Sequence, residues 1–408
     1  MLRTDFIQMK TNNKKGTFRK VNDWLHLWLG LVSGIVVFIV SITGCFYAFQ
    51  QEIKDVLEPW RFVTPQNKQY VPPSILLDTA DKYVAGHQPS GLTYSHAEGA
   101  AAVGYASQLN GKRSFTVVFL NPYTGVFLKK QTTHGSDEFD FFQFIINGHR
   151  ALWLPYEIGR PIVGISTLIF VFLLISGLVM WWPKKWSKRN RDQSFKIKWN
   201  ARFKRVNYDL HNVLGFYSLL FALALGITGL VWSFQWFDKG IYFLTSGGQV
   251  KQVHSHPHSD PKQKSVVSKL NMSPLDKAWY LTMKKDKNVE GMYMTPVLRD
   301  ADDPLEIVVY HHRGSFYDRN EYFYDRYTLQ PLKHEGSVYN EASFADRLSN
   351  MNYDIHIGAI AGLPGKIFAF LISLICASLP VTGFLVWLNM KKKAIPPSSS
   401  TSSQLREN

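Results

Sequence analysis

Two histidines, His26 and His211, occupy the same local context at the start of two long apolar segments. The first context reads NDWLHLWLG and the second NYDLHNVLG, and the same alignment matches the threonine–glycine pairs at 43–44 and 228–229. This recurrence predicts an internal duplication. A histidine at the edge of a membrane span is costly unless it is paired or liganded, so we interpret the two as axial ligands that face one another across a haem.

A second pair of histidines precedes the other two apolar segments. His149 and His356 are followed at nearly the same distance by Gly177 and Gly383. The duplication therefore predicts an inner pair (His26, His211) and an outer pair (His149, His356), each holding a haem iron as axial ligands. About two haem b groups would lie about 20 Å apart across the bilayer. Covalent c-type attachment is excluded, because the sequence has no Cys-x-x-Cys-His motif.

Four uncharged runs are long enough to cross a bilayer, whose hydrocarbon core needs about 20 apolar residues in a helix. They are residues 24–49, 161–182, 213–237 and 367–390. The first has a basic, polar lead and is too long for a signal peptide, so we expect it to be retained. The loop 183–205 carries ten Lys and Arg against the single acid Asp192, and 391–393 is Lys-Lys-Lys. The positive-inside rule then predicts cytoplasmic termini and large periplasmic connections, in a bacterial inner membrane.

Composition excludes several function classes. The net charge of +15 sits mainly beside membrane ends, where anionic membrane lipid is the expected partner and no nucleic acid is needed. Cys45 and Cys376 both fall inside predicted spans, which leaves no disulfide framework, iron–sulfur cluster or structural zinc site. Neither a Gly-x-Gly-x-x-Gly motif after a strand nor a Walker loop is present. Electrons must therefore come from a separate donor.

The two long connections are predicted to be small α+β domains. The first has a helix near 72–84 and strands near 91–94, 101–105 and 114–120, and the second has a helix near 274–285 and strands near 291–296, 305–311 and 321–327. Residues 119–124 and 323–328 align, although Arg326 and Leu329 replace Pro122 and Gly125. The predicted fold class is a membrane α+β protein with four transmembrane helices in two tandem repeats, each with an external α+β domain.

The predicted boundaries follow this layout. They are a cytoplasmic N-terminus (1–20), a first span (21–50), external domain 1 (51–148), an interfacial segment and second span (149–183), a basic cytoplasmic loop (184–206), a third span (207–237), external domain 2 (238–355), an interfacial segment and fourth span (356–390), and a cytoplasmic tail (391–408).

The layout resembles the PepSY-associated transmembrane family, and within it the haem-containing inner-membrane reductases of ferric siderophores. The resemblance runs from Leu25-His26-x-x-Leu29-Gly30 to Thr382-Gly383-x-x-x-Trp387, and its most family-like stretch is 148–183. It implies two external PepSY-like domains and a b-type haem oxidoreductase for iron uptake, which reduces a ferric siderophore or other ferric chelate on the periplasmic side. No flavin reductase module is fused to this chain, so the donor is a separate cytoplasmic reductase or a quinol.

Several assignments stay open at this point. Arg150, Arg160 and Lys366 outside, with Arg19 and Arg205 inside, are candidates to bind haem propionates, although basic residues at span ends also hold topology. The small residues that follow His26 and His211 suit either a macrocycle or close helix packing. Two interpretations exist for His254, His256 and His258: they form a metal site, or they are solvated side chains of a loop. In the competing interpretation the chain is a non-enzymatic PepSY module that binds a peptidase or envelope partner, and its histidines only pack helices.

Overall fold

The computed structural model of the chain describes residues 16–84, 86–109, 112–133, 139–183, 185–251, 257–264 and 271–394. Four of its helices are long and apolar enough to cross a membrane: Thr17–Ala48, Tyr156–Trp181, Phe203–Ser233 and Ala359–Asn389. The four predicted spans are thereby confirmed as helices. The protein is an α+β membrane protein that combines these helices with an antiparallel sheet.

The spanning helices pack as a four-membered bundle. α1 (Thr17–Ala48) and α8 (Gly215–Ser233) each pack against both α5 (Tyr156–Trp181) and α12 (Gly362–Ala394). The third span has three parts, because α7 (Phe203–Asp209) joins α8 through a π-helical turn at Leu210–Leu214. A π-helical turn widens the backbone locally and is frequent at functional sites. Here it carries His211.

Two short helices lead into the second and fourth spans and carry the outer histidines. α4 (Phe141–Ala151) begins where the Asp140 carboxylate accepts the Gln143 N–H, and α11 (Phe344–Ile357) begins where Ser343 accepts the Asp346 N–H. α11 ends at Gly358, whose φ of 79° is in the left-handed region. A side chain there would collide with the Gly365 backbone. The backbones of Gly358 and Gly365 therefore lie close together, and the chain passes directly from α11 into α12.

The extramembrane part contains eight strands in one antiparallel sheet. The strands are β1 (Pro89–Tyr94), β2 (Ala101–Leu109), β3 (Lys112–Leu120), β4 (Phe127–Thr133), β5 (Gly291–Met294), β6 (Leu305–Tyr310), β7 (Arg319–Tyr324) and β8 (Pro331–Leu332). Their order is β4-β3-β2-β1-β5-β6-β7-β8. The two predicted domains are therefore joined edge to edge, where Thr93 of β1 pairs with Tyr293 of β5. Pairing removes two exposed strand edges that separate domains would leave open.

One hydrophobic core lies across that junction. α3 (Pro73–Asp81) and α10 (Pro274–Lys285) both pack on it, and Ser74 Oγ donates to Asp276 Oδ2 between them. Leu92, Tyr94, Met292 and Met294 from the two central strands are fully buried. The remaining helices are α2 (Gln50–Leu57), α6 (Lys188–Phe195) and α9 (Gln235–Thr245).

The turn after β7 keeps the conformation of the turn after β3 despite its different residues. Leu329 has a φ of 61° where Gly125 has 71°. Asp325 accepts the Tyr327 N–H as Asn121 accepts the Tyr123 N–H, and the two tyrosine hydroxyls donate to Ala301 and Ala97 carbonyls. A leucine whose backbone is in the left-handed region costs about 1 kcal/mol or more of folding free energy. The surrounding hydrogen bonds must therefore hold this turn in place.

Candidate haem sites

The four histidines come together as two facing pairs. The ring centroids of His26 and His211 are 6.4 Å apart, and those of His149 and His356 are 6.0 Å apart. Two imidazoles that share one metal ion, with bonds of about 2 Å, have ring centroids about 6 Å apart. Both pairs therefore have the separation that a bis-histidine metal site requires.

Each inner ring is held through Nδ1 by the helix opposite. His26 Nδ1 lies 2.8 Å from Ser176 Oγ on α5, and that hydroxyl donates its own proton to the Leu173 carbonyl. His211 Nδ1 lies 3.1 Å from the Leu379 carbonyl and 3.0 Å from Thr382 Oγ1 on α12. The Leu379 carbonyl can only accept, so His211 carries its proton on Nδ1 and keeps the Nε2 lone pair; His26 has the same tautomer when the Ser176 hydroxyl gives its proton to Leu173.

The outer rings are held in the same manner. His149 Nδ1 donates to the Val40 carbonyl at 2.9 Å, with Thr43 Oγ1 at 3.4 Å. His356 Nδ1 lies 2.9 Å from Thr228 Oγ1, whose proton goes to the Ala224 carbonyl. A ring that donates from Nδ1 is oriented for a metal at Nε2 and has the tautomer that a metal needs. The four rings thus present Nε2 as the ligand atom.

A glycine directly follows each of these four hydroxyl residues, and it gives the ring room. An added Cβ would lie 3.3 Å from His26 at Gly177, 3.1 Å from His211 at Gly383, 3.1 Å from His149 at Gly44 and 3.5 Å from His356 at Gly229. Larger side chains at these positions would displace the rings. The hydroxyl–glycine pair beside each ring is the feature that the sequence interpretation did not connect to its histidine.

Asparagines one helical turn before three of the histidines tie the same helices together. Asn22 donates to the Ser176 carbonyl, Asn207 to the Thr382 carbonyl and Asn352 to the Thr228 carbonyl, at 3.0 to 3.2 Å. Each bond reaches the hydroxyl residue that holds the histidine four positions later. Ile145 occupies the corresponding position before His149.

A cavity of about 470 Å³ surrounds the outer pair and lies between all four spans. Its lining includes both outer histidines, Arg150, Arg160 and Tyr156, with Trp232 from α8. The guanidinium groups of Arg150 and Arg160 lie 5.6 and 5.7 Å from the centre of the Tyr156 ring. Cavities of this volume hold small molecules and cofactors. An apolar interior with two basic groups fits an amphipathic, dianionic macrocycle.

A family model described as the PepSY-associated TM region matches residues 24–389. The chain belongs to this family. The match includes both histidine pairs and the whole eight-stranded sheet, so the expected family membership is confirmed. A search of curated proteins found no match.

The small residues of this family member's first and third spans have two roles. Gly34 packs against Pro380 and Gly30 against Leu173, while Gly215 and Gly226 face Leu379 and Val171. These contacts are helix packing. Within the described chain, the last glycines of the first span (Gly44) and of the third span (Gly229) differ from the others, because each lies against a histidine ring. The helix-packing interpretation therefore applies to the glycines in the body of the spans, and the macrocycle interpretation stays a prediction.

Lys366 is placed differently from the two arginines. Its ammonium lies 2.7 Å from Glu52 Oε1, and the side chain is buried. The lining of the cavity does not include it. A lysine that is paired with a carboxylate has little charge to offer a propionate. Arg150 and Arg160 therefore keep the position expected of propionate ligands, whereas Lys366 ties α12 to α2.

Burial favours the neutral form of both outer histidines. Burial lowers the pKa of His149, and burial together with His149 lowers the pKa of His356 to about 3. A neutral imidazole is the form that binds a metal ion.

Some other histidines of the described chain have carboxylate partners of their own. His258 contacts Asp302, and His311 is held between Asp286 and Asp318, with ring nitrogens 3.0 and 2.9 Å from the carboxylates. No group of three or more metal-binding side chains occurs among the described residues. His134, His254 and His256 lie outside the described residues, so the proposed metal-binding loop stays a prediction.

Proposed function

We propose that the chain binds two haem b groups and carries electrons through the membrane to reduce ferric chelates on the periplasmic side. The observation that carries this proposal is the double histidine pair, with every Nδ1 hydrogen-bonded and Nε2 left as the ligand atom. A packing role explains buried hydrogen-bonded histidines. It does not explain two pairs that share the separation and tautomer of bis-imidazole ligation.

The proposed sites lie at opposite ends of one helix. α1 carries His26 of the inner pair and Gly44, which contacts His149 of the outer pair. At about 1.5 Å per residue, these two positions are about 27 Å apart along the helix axis, close to the hydrocarbon thickness of a bilayer. One site at each face is the arrangement that transmembrane electron transfer needs.

The residues of the chain have distinct roles in this proposal. His26 and His211 would hold the inner iron, and His149 and His356 the outer iron. Arg150 and Arg160 would bind the propionates of the outer group. When bound, haem supplies a one-electron Fe(III)/Fe(II) couple, and the protein supplies ligation, orientation and exclusion of water. With both histidines of a pair engaged as ligands, the acceptor would be bound beside the site by residues of the chain and not by the iron.

The direction of transfer follows from the proposed topology. The basic loop between α5 and α7 exposes Lys188, Arg189 and Arg191, as expected of a cytoplasmic segment. In the bacterial inner membrane, this orientation puts the inner pair beside a cytoplasmic reductase or a quinol and the sheet in the periplasm. The acceptor would be a ferric siderophore or similar chelate, because the Fe(II) product binds hard oxygen ligands less strongly and is released.

Two measurements on purified full-length protein test the proposal. Pyridine haemochrome analysis should give about two non-covalent haems per chain. Dithionite-reduced protein should then be reoxidised by ferric chelates in stopped-flow experiments, with Fe(II) trapped by a ferrous-specific dye. Haem-supplemented protein that stays colourless contradicts the cofactor assignment. Haem that stays reduced in excess chelate of several classes favours the non-enzymatic PepSY module that binds a peptidase or envelope partner.

A further inference from the structure

A series of aromatic rings connects the outer histidine pair to the extramembrane surface. The Trp232 ring lies 5.2 Å from the His356 ring and 6.2 Å from the Tyr353 ring, and Tyr353 lies 5.4 Å from Phe316. These residues come from α8, α11 and the loop between β6 and β7. The elements that hold the outer site and the sheet therefore meet along this series.

Phe316 is the member of the series that lies in an extramembrane loop. Its side chain is 44% exposed, as is that of Trp232, whereas Tyr94, Tyr123 and Tyr322 of the sheet region are buried. An exposed aromatic ring offers apolar surface to a ligand. Its neighbour Tyr353 lines the same cavity as Arg150.

The loop holds the Phe316 ring in a fixed place. The Phe316 N–H lies 3.1 Å from each carboxylate oxygen of Asp354, a fully buried residue of α11. Arg319 donates to the Phe316 carbonyl, and the Tyr310 ring packs 5.9 Å away. Because both peptide groups of Phe316 are bonded, the ring is presented to solvent with little conformational freedom to lose on binding.

We propose that Phe316 is a positioning residue for the external acceptor, and that this acceptor is a ferric chelate with aromatic ligand rings, of the catecholate or phenolate class. The inference rests on the proposed function. An aromatic ligand ring would stack on the exposed Phe316 ring, whose neighbour Tyr353 lines the cavity of the outer site. One electron leaves the reduced haem iron, which becomes Fe(III), and the chelated Fe(III) becomes Fe(II). No bond or proton is exchanged.

Binding is tested first, without electron transfer. A redox-inert gallium(III) catecholate is titrated into haem-loaded full-length protein and into the Phe316→Leu and Phe316→Tyr variants. We expect the Kd to rise about 3- to 10-fold in Phe316→Leu and to stay near the original value in Phe316→Tyr. Phe344→Leu is the matched control, because Phe344 is 64% exposed at the start of α11. A gallium(III) complex of an aliphatic hydroxamate should bind all variants equally.

Kinetics then separate this inference from the function on which it rests. With iron(III) catecholate, Phe316→Leu should raise the concentration that gives half-maximal reoxidation by the same 3- to 10-fold, with haem spectra unchanged. If the original protein is not reoxidised by any chelate, the proposed function fails. If it is reoxidised but Phe316→Leu matches it in Kd and in half-maximal concentration, Phe316 is not the contact. An equal loss with the hydroxamate overturns the aromatic class.

Discussion

Ser176→Ala should weaken the inner haem site without removing either of its ligands. The Ser176 hydroxyl lies 2.8 Å from His26 Nδ1 and is the hydrogen-bond partner of that ring within the described part of the chain. Alanine keeps the helix and nearly the same volume but leaves the buried Nδ1–H without an acceptor. Loss of such a supporting bond typically lowers metal affinity about 10- to 100-fold. In free energy this is about 1.4 to 2.7 kcal/mol.

The direction of a second effect follows from the same bond. An acceptor at Nδ1 makes the imidazole a stronger electron donor, which stabilises Fe(III) over Fe(II). Its removal should therefore raise the midpoint potential of the inner haem. Transfer of haem to an excess of apomyoglobin measures the affinity, and a spectroelectrochemical titration measures the potential.

Two control variants make the result specific. Ser218→Ala removes another buried hydroxyl, which bonds only the Gly215 carbonyl among the hydrogen bonds of the described chain. Thr43→Val removes the weaker of two partners of His149, since the Val40 carbonyl remains at 2.9 Å. Both should change haem affinity by less than about 3-fold. If Ser176→Ala holds haem as tightly as Ser218→Ala, the proposed tautomer and ligand role of His26 are wrong.

Three further predictions follow from the structure. His26→Ala or His211→Ala should remove one haem, and His149→Ala or His356→Ala the other, as pyridine haemochrome analysis will show; unchanged haem content in all four would contradict the assignment. Gly383→Val should displace the His211 ring, 3.1 Å from the new Cβ, and lose the inner haem while the outer spectrum persists; full retention of both haems would contradict this packing. Burial lowers the pKa of His311, but its bonds to Asp286 and Asp318 outweigh burial and raise it above 6.5 overall. A raised folded-state pKa gives stability that is present at acidic pH and lost as pH rises through that pKa. The protection factors of the sheet amides, which remove the base-catalysed rise of the intrinsic exchange rate, should therefore fall from about pH 6.5 upward, and less so in His311→Gln; an identical pH dependence in both proteins would contradict the assignment.

The sequence identifies the spans and the histidine pairing because both depend on local features. Twenty uncharged residues define a membrane helix wherever it packs, and the context of His26 is repeated around His211. The helix at Pro274–Lys285 was also predicted at its observed bounds, since Pro274 begins it and the apolar pattern continues to its end.

Other features depend on contacts between distant segments, and the sequence could not supply them. The pairing of β1 with β5 joins strands about 200 residues apart, so two domains were predicted where one sheet forms. Lys366 is predicted as a propionate ligand from its place before the fourth span, whereas its partner Glu52 lies 314 residues away in the chain. The hydroxyl–glycine pairs were visible as repeated residues, but their partners lie on other helices.

The hydrogen bonds that hold the four histidine-bearing helices are not equal. Both helices of the inner site have an asparagine bond, whereas only one helix of the outer site has it. Three histidines belong to helices in which an asparagine four residues earlier binds the opposite span, and Ile145 breaks this pattern before His149. His149 is held instead by the Val40 carbonyl, with the Thr43 hydroxyl at a longer 3.4 Å. A main-chain carbonyl in a helix is fixed in direction, whereas a hydroxyl can rotate. The ring of His149 thus keeps its orientation without the asparagine bond that its three counterparts have, on the side of the cavity where Arg150 and Arg160 also lie.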